Sequence, residues 1–409
     1  MSQVTLLLST FNVRPGEGRS VVLMLVHSFF MGISTVFFET AASALFLSKF
    51  PATFLPYSYM GAAIIITLTG VVYTWVKERT SFSKLMIGTI IFLLIFVCAS
   101  QIGLWITDVG WIFFAILIWY RVLSVLTDLE YWAIAARLYD IRQSKRLYSL
   151  IGSGEVTARI LGSFSVPFFV LWIGVGNLML ISVVGLVMCL VCLIITFKIF
   201  KENISTEQIV KKEEKKEVEP KPSVWREFLA HACNRYTALI FLLSVFGVFG
   251  KFFVDYAFLQ QMQTRYNDAN NLAGFFGIFS GAMQALNLII RMFLSGRLLN
   301  RYGIKVGLQT LPFLHTLCTS AIVFVGTFYI NELVLIFWLV ITNQGFYKTI
   351  KHPIDYPSFK IMYQPLRSDQ RLAAQIAVEA IVTPITTGLA GIIMWIFTLV
   401  IAYDPVIFS

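Results

Sequence analysis

Ten ionisable side chains lie inside stretches of the chain that are otherwise apolar: Glu39, Arg121, Asp128, Glu130, Glu155, Arg159, Lys251, Asp255, Arg291 and Glu379. A charge in a low dielectric persists when it is paired, borders water or binds something charged, so each is a functional candidate. Glu155 and Arg159 are four residues apart, as are Lys251 and Asp255. On a helix each pair shares a face and offsets part of its own burial cost. Arg121 has no acid three or four residues away, and Asp128 lies two turns along the same face. Its guanidinium therefore needs an acid from another helix, a watery cavity or an anionic solute, and its fork of donors matches carboxylate or phosphate oxygens. The reading as a structural pair and the reading as a cavity ligand stand side by side. Arg291, toward the end of its apolar run, can reach the interface by snorkelling. Glu39 and Glu379 have no cation within a turn, so each is either a carrier of a coupling proton or a solvated helix end. His27 and His315 are expected to pack with one backbone hydrogen bond each.

Other chemistry is not encoded. There is no G-x-S-x-G, no H-E-x-x-H and no acid pair with an aqueous site, so the chain is not expected to be an enzyme. The five cysteines, Cys98, Cys189, Cys192, Cys233 and Cys318, lie in or beside apolar runs. Cys189 and Cys192 form C-x-x-C, but with no His or second Cys pair nearby, so no metal or other cofactor is expected. Gly274, Gly277, Gly281, Gly388 and Gly391 suit close helix packing rather than phosphate binding, because no Lys-Ser/Thr follows them. The 37 phenylalanines read as lipid-facing bulk.

The elements that must position these residues follow from composition. Of 409 residues, 57% are apolar and 13% charged, with a mean hydropathy of +0.77. Soluble domains carry nearly twice that charged fraction, so the partner of most of this surface is the lipid bilayer. Apolar runs broken by Gly, Pro and charge predict eleven spanning helices. They lie at about 20–47, 53–76, 84–106, 111–139, 147–172, 174–198, 237–262, 272–297, 303–329, 332–350 and 373–402. The first run is too long for a cleavable signal.

Placing the N-terminus inside puts 26 of the 32 Lys and Arg on the inner side and only Lys49 and Arg265 outside, with Arg121, Arg159, Lys251 and Arg291 within spans. That asymmetry predicts a multi-pass inner-membrane protein with a cytoplasmic N-terminus. It also accounts for the net charge of +10 without nucleic acid. Residues 199–236, with the run KKEEKKEVEPKP, read as a cytoplasmic linker ending in an interfacial helix over 223–235. The expected domains are thus a six-helix bundle over 1–198, that linker, and a five-helix bundle over 237–409.

Six helices, a linker and a second set resemble the two-bundle organisation of the major facilitator transporters, built around a central cavity. The run Gly296-Arg-Leu298-Leu-Asn300-Arg301-Tyr-Gly303-Ile-Lys305 resembles that superfamily's G-x-L-x-D-R-x-G-R-K loop, with Asn300 at its acidic position. The loop falls where that fold has it, between the second and third helices of a half. A twelve-helix transporter would need one more span, so the chain is expected to be cut short.

A narrower resemblance comes from Glu130-Tyr-Trp132-Ala-Ile-Ala-Ala with Ser144-Lys145-Arg146-Leu-Tyr148-Ser-Leu-Ile-Gly152. Together these are similar to the FWxxAN…AKRFYPLFG stretch of the ATP/ADP translocases. Lys360-Ile-Met362-Tyr363-Gln-Pro365-Leu366 is similar to their KEMAYIPL stretch. The resemblance implies a divergent bacterial member of that family, an all-α polytopic fold, and a C-terminal cytoplasmic domain beyond this chain, as some relatives carry. The family's two functional lysines fall at Ala41 and Gln375 and its helix-four acid near Tyr120, while its helix-seven acid matches Asp255. Without those lysines, the expectation is a secondary transporter of a small anionic or zwitterionic solute, with a proton as the candidate coupling ion, rather than an ATP/ADP exchanger. The alternative is a non-transporting anchor or sensor that docks cytoplasmic partners. Arg121, Asp255, Lys251, Glu39, Glu155, Arg159, Arg291 and Glu379 are the candidate solute or coupling residues.

Overall fold

A computed structural model describes residues 13–14, 16–106, 109–200, 235–266, 268–329, 333–366, 374–375 and 377–403. The linker, the expected interfacial helix and Cys233 lie outside the described residues. Ten helices among those described are long and apolar enough to cross a bilayer. They are α1 (Gly18–Lys49), α2 (Leu55–Arg79), α3 (Phe82–Ile106), α4 (Trp111–Leu138), α5 (Ile141–Ile173), α6 (Leu178–Ile199), α7 (Arg235–Arg265), α8 (Ala269–Phe293), α9 (Ser295–Phe328) and α10 (Leu333–Ile350). Where the eleventh span was expected, at 373–402, the described residues hold a shorter apolar helix, α11 (Thr383–Tyr403). Long apolar runs become helices because lipid offers no partner for backbone N–H and C=O groups.

The departures from the expected boundaries have local causes. α5 begins six residues early because its polar first turn is closed by a capping box. The Asp140 carboxylate accepts from the Gln143 amide at 2.7 Å, and the Gln143 side chain accepts from the Asp140 amide at 3.1 Å. Hydropathy does not register such a turn; capping chemistry does. The expected loop between α8 and α9 is itself helical from Ser295, and the chain breaks at Gly303, whose φ of 78° suits a residue without a Cβ. α10 ends at its expected Ile350, but the helical path continues through a π turn at Lys351–Asp355 and a further α turn at Tyr356–Ile361. Pro353 sits in that π turn; lacking an amide hydrogen, it cannot donate to the regular ladder. A second π turn, Val378–Val382, precedes α11 and Pro384.

By contact the chain divides into two compact units. The first comprises residues 1–46, 69–221 and 273–281; the second comprises 47–68, 222–272 and 282–409.

In the first unit, α1 is held at close range by two neighbours. A Cβ on Gly154 of α5 would lie 2.3 Å from the Leu25 carbonyl oxygen and 2.3 Å from Ser28 Oγ. A Cβ on Gly185 of α6 would lie 2.9 Å from the Phe30 carbonyl oxygen. Such contacts bring backbones together and raise dispersion, which drives helix association where no hydrophobic effect operates. They also admit hydrogen bonds between helices. Ser28 Oγ donates to the Ile151 carbonyl at 2.7 Å, and the hydroxyls of Ser34 and Ser182 meet at 2.8 Å.

Just before α1, Glu17 accepts from the Arg14 amide at 2.9 Å, from Gln143 at 3.1 Å and from Arg146 at 2.6 and 2.8 Å. Both segments were assigned to the inner side by charge, and here they meet. Burial alone would raise the Glu17 carboxyl, but these donors and the Arg146 charge more than offset it and hold the group below 4.5. A carboxyl with a lowered folded-state pKa stabilises above its unfolded pKa, and that contribution fades as pH falls through the folded value. Glu17→Gln is therefore expected to lower the melting temperature at pH 7, with the gap to wild type closing as pH falls below 4.5. A gap that persists at low pH would contradict the assignment.

In the second unit one amide ties α7 to the segment after α1. Gln263 Nε2 donates to the Leu47 and Phe50 carbonyls, both at 2.6 Å, and its Oε1 accepts from the Ala52 amide at 2.6 Å. Both partners lie in regions assigned to the outer side.

Candidate functional site

The polar residues of the first unit gather where α1, α4 and α5 meet. Arg159 Nε donates to Glu155 Oε1 at 2.7 Å, one turn back on α5, and its Nη1 lies 4.0 Å from Glu39 Oε2 on α1. The Tyr120 hydroxyl on α4 is hydrogen-bonded to Glu39, and Asp128 on α4 lies within electrostatic range of Glu155 and Arg159. A Cβ on Gly32 would lie 2.8 Å from both Ala158 Cβ and the Glu155 carbonyl, so the missing side chain is what lets α1 approach the helix carrying Glu155 and Arg159. Arg159 and Glu155 are each 21% exposed and Glu39 34%. One guanidinium thus serves two carboxylates, with a third acid close by. A guanidinium shared in this way can turn from a protein carboxylate to a solute carboxylate or phosphate, and the site keeps its net charge if the displaced acid takes up a proton.

The sequence placed Glu155 and Arg159 on one face, and they pair there. It found no cation within a turn of Glu39; the one that reaches it comes from another helix. Arg121 is half-buried on α4, next in the chain to Tyr120.

In the second unit, Asp255 Oδ1 on α7 accepts from Gln344 Nε2 on α10 at 2.8 Å. Lys251 Nζ lies 5.5 Å from the Phe252 ring centroid. Glu379 is largely exposed and takes Lys360 as partner at 2.5 Å, the environment of a solvated helix end. Arg291 is exposed in the last turn of α8. A groove of about 400 Å³ is lined by Ala63, Ile64, Leu68, Ile385 and Leu389 among others, and none of these charges lines it.

Several polar contacts were not foreseen. Lys351 and Asp355 form an ion pair across the π turn of α10. Their spacing of four is local, but the apolar run ends at 350 and hydropathy does not extend a helix over Lys351 and Asp355. His315 Nδ1 meets the Asn343 side chain at 2.5 Å rather than a backbone carbonyl. His27, expected to pack with one backbone bond, instead has its Nε2 3.1 Å from Glu130 Oε2, with both side chains buried. Nothing local in either helix marks that pair; it joins residues 103 apart. Among the described residues no group of His, Cys, Asp and Glu is arranged to hold a metal ion.

Comparison with known proteins agrees with this architecture. The chain is 22% identical over 288 residues to ADP,ATP carrier protein 1 of Chlamydia pneumoniae, a match covering 63% of this chain and 55% of the carrier. It therefore spans about half the length of that curated relative. Its fold matches a POT family transporter solved in complex with a thioalcohol conjugated peptide, with a TM-score of 0.56, 13% identity, and coverage of 94% of this chain and 96% of that one. It also matches the inward-open xylose transporter XylE from E. coli, with a TM-score of 0.56, 10% identity, and coverage of 93% and 95%. At such identities these matches speak to the fold alone. The relatives are transporters, not enzymes. The description "Major Facilitator Superfamily" matches residues 131–349, more than half of the sequence, and the chain belongs to that superfamily.

Proposed function

We propose that this multi-pass membrane protein is a secondary active transporter moving a small anionic or zwitterionic solute, accompanied by a coupling proton, by alternating access. The observation that carries the reading is the sharing of Arg159 by Glu155 and Glu39 across two helices of an apolar bundle. A cation held by two acids can take an incoming carboxylate or phosphate when one of those acids accepts the coupling proton, which keeps the charge of the site in balance. Binding that favours one of two conformations over the other then drives the cycle. In the first unit Arg121 supplies further charge for the solute; in the second unit Lys251 and Asp255 are assigned, separately, as solute or coupling residues. Arg291 and Glu379 lie at helix ends and take part in entry or release.

Kinship with ADP/ATP carriers suggests nucleotides as one solute class to try. The residues Ala41 and Gln375, at the family's lysine positions, argue against ATP/ADP exchange itself. The bundles are assigned to residues 1–198 and 237–409, in the cell inner membrane with the N-terminus in the cytoplasm, on the strength of the Lys and Arg asymmetry.

The test is uptake and counterflow in proteoliposomes with labelled dicarboxylates, amino acids and nucleotides beside a neutral sugar. Saturable movement of a charged solute, reduced at least tenfold by Arg121→Ala, is the expected result. Movement of the sugar alone would overturn the solute class, and an unchanged rate in Arg121→Ala would remove that residue from the site. The second reading, a docking anchor or sensor, is favoured by the same Ala41 and Gln375. It would gain from a protein that binds a cytoplasmic partner and shows no counterflow.

A further inference from the structure

A second polar contact, between His27 and Glu130, joins α1 to α4. His27 lies nine residues into α1 and Glu130 eight residues from the end of α4. At 1.5 Å per residue these depths are about 14 and 12 Å from the same face, short of the middle of a hydrocarbon core about 30 Å thick. The side chains are 2% and 0% exposed, and His27 Nε2 is 3.1 Å from Glu130 Oε2. Glu130 Oε1 is buried with no hydrogen-bond partner among the described residues. The Tyr131 ring lies 5.8 Å from the His27 ring, and Cys189 Sγ donates to the His27 carbonyl at 3.6 Å.

We propose that the His27–Glu130 pair is a proton-binding site, holding one exchangeable proton when buried and releasing it when water reaches it. Three protonation levels are available. With no proton added, a carboxylate faces a neutral imidazole and the site carries a net negative charge, with one oxygen unsolvated. With two, an imidazolium faces a neutral acid and the site is positive. With one, the site is neutral overall whether the proton sits on oxygen or nitrogen, and the hydrogen bond is kept. Burial strongly favours the neutral level, because an uncompensated charge in low dielectric is costly. Water that reaches the pair removes this penalty, because it solvates the bared carboxylate oxygen, so hydration favours release of the proton. The step is the transfer of H⁺ between the pair and water, with no other bond made or broken.

The titratable groups around the pair do not supply a competing charge. Tyr73 on α2, Tyr131 on α4, and Cys189 and Cys192 on α6 are phenols and thiols, neutral in their ordinary state. Glu155 on α5, which acts electrostatically on Tyr131, is bound to Arg159. Occupancy of the site by a proton is thereby tied to its hydration. In a transporter whose halves alternately admit water, that tie would couple proton movement to the cycle. The link to the cycle rests on the transporter reading above; the proton site itself does not.

The test uses the full chain in liposomes at pH 8 with no solute present. Infrared spectra read the carbonyl stretch of a protonated carboxylic acid, and nitrogen-15 NMR of labelled histidine reads imidazolium. The expected result is one or the other signal in the wild type, lost in Glu130→Gln. Should Glu130→Gln fail to fold, His27→Gln is expected to abolish an imidazolium signal or shift the acid band. Wild-type spectra showing only carboxylate and neutral histidine, or a signal that survives Glu130→Gln, would overturn the proposal. Because no solute is used, either outcome leaves the transport reading to its own assay.

Discussion

Arg159→Met is expected to lower stability by about 3 kcal/mol, because it leaves Glu155 and Glu39 facing each other in an apolar bundle without their shared cation. Removing one partner of a buried ion pair usually costs 3–5 kcal/mol, and the partial exposure of these groups places this one at the low end. Taking away an acid as well reverses much of the loss. The double variant Arg159→Met, Glu155→Met is expected to regain most of the stability, since matched apolar replacements remove the uncompensated charge together with the pair. Thermal unfolding of the two variants in detergent measures the difference. Equal melting temperatures for single and double variants would mean that the 2.7 Å contact between Arg159 and Glu155 carries no coupling energy. Uptake is expected to stay low in both, because the guanidinium that would bind the solute is gone from each. A variant that refolds to wild-type stability without recovering transport would separate the binding role of Arg159 from its structural one.

Gly154→Leu is expected to cost about 3 kcal/mol, the upper part of the range for overpacking, because the first added atom meets backbone. Its Cβ would stand 2.3 Å from the Leu25 carbonyl oxygen, and an oxygen within a regular helix cannot turn aside as a side chain can. α1 and α5 would have to separate, breaking the 2.7 Å bond from Ser28 to the Ile151 carbonyl and widening the gap between Glu39 and Arg159. Gly70→Ala is the matched control. A Cβ there meets nothing within 4 Å, so helix propensity alone should leave that variant unchanged or more stable by up to about 1 kcal/mol. Melting temperatures that fall equally in the two variants would refute the close-packing argument for α1 and α5.

Much of the architecture was legible without coordinates. A run of twenty or so apolar residues in lipid has helix as its one open-ended solution, so the spans could be read within a few residues wherever their ends were apolar. Ends closed by polar chemistry were not: the capping box of α5 and the π turn after Ile350 extend helices beyond what hydropathy marks. The Glu155–Arg159 pair was also readable, because four residues along one helix is a local distance.

The partners of the remaining charges were not readable, and the reason is the same in each case. Arg159 reaches Glu39, Gln344 reaches Asp255, and His27 reaches Glu130 across separate helices. Such meetings depend on the rotation of each helix about its axis and on how closely the backbones approach. In the first unit that approach is set by Gly32, Gly154 and Gly185, whose missing side chains are conspicuous only once a neighbour is known to press on them. Composition and periodicity decide that a chain crosses the bilayer, how often, and which residues are out of place there. Which misplaced residues become partners is decided by packing between helices, because lipid treats every apolar helix face alike and leaves small side chains and polar contacts to choose among them.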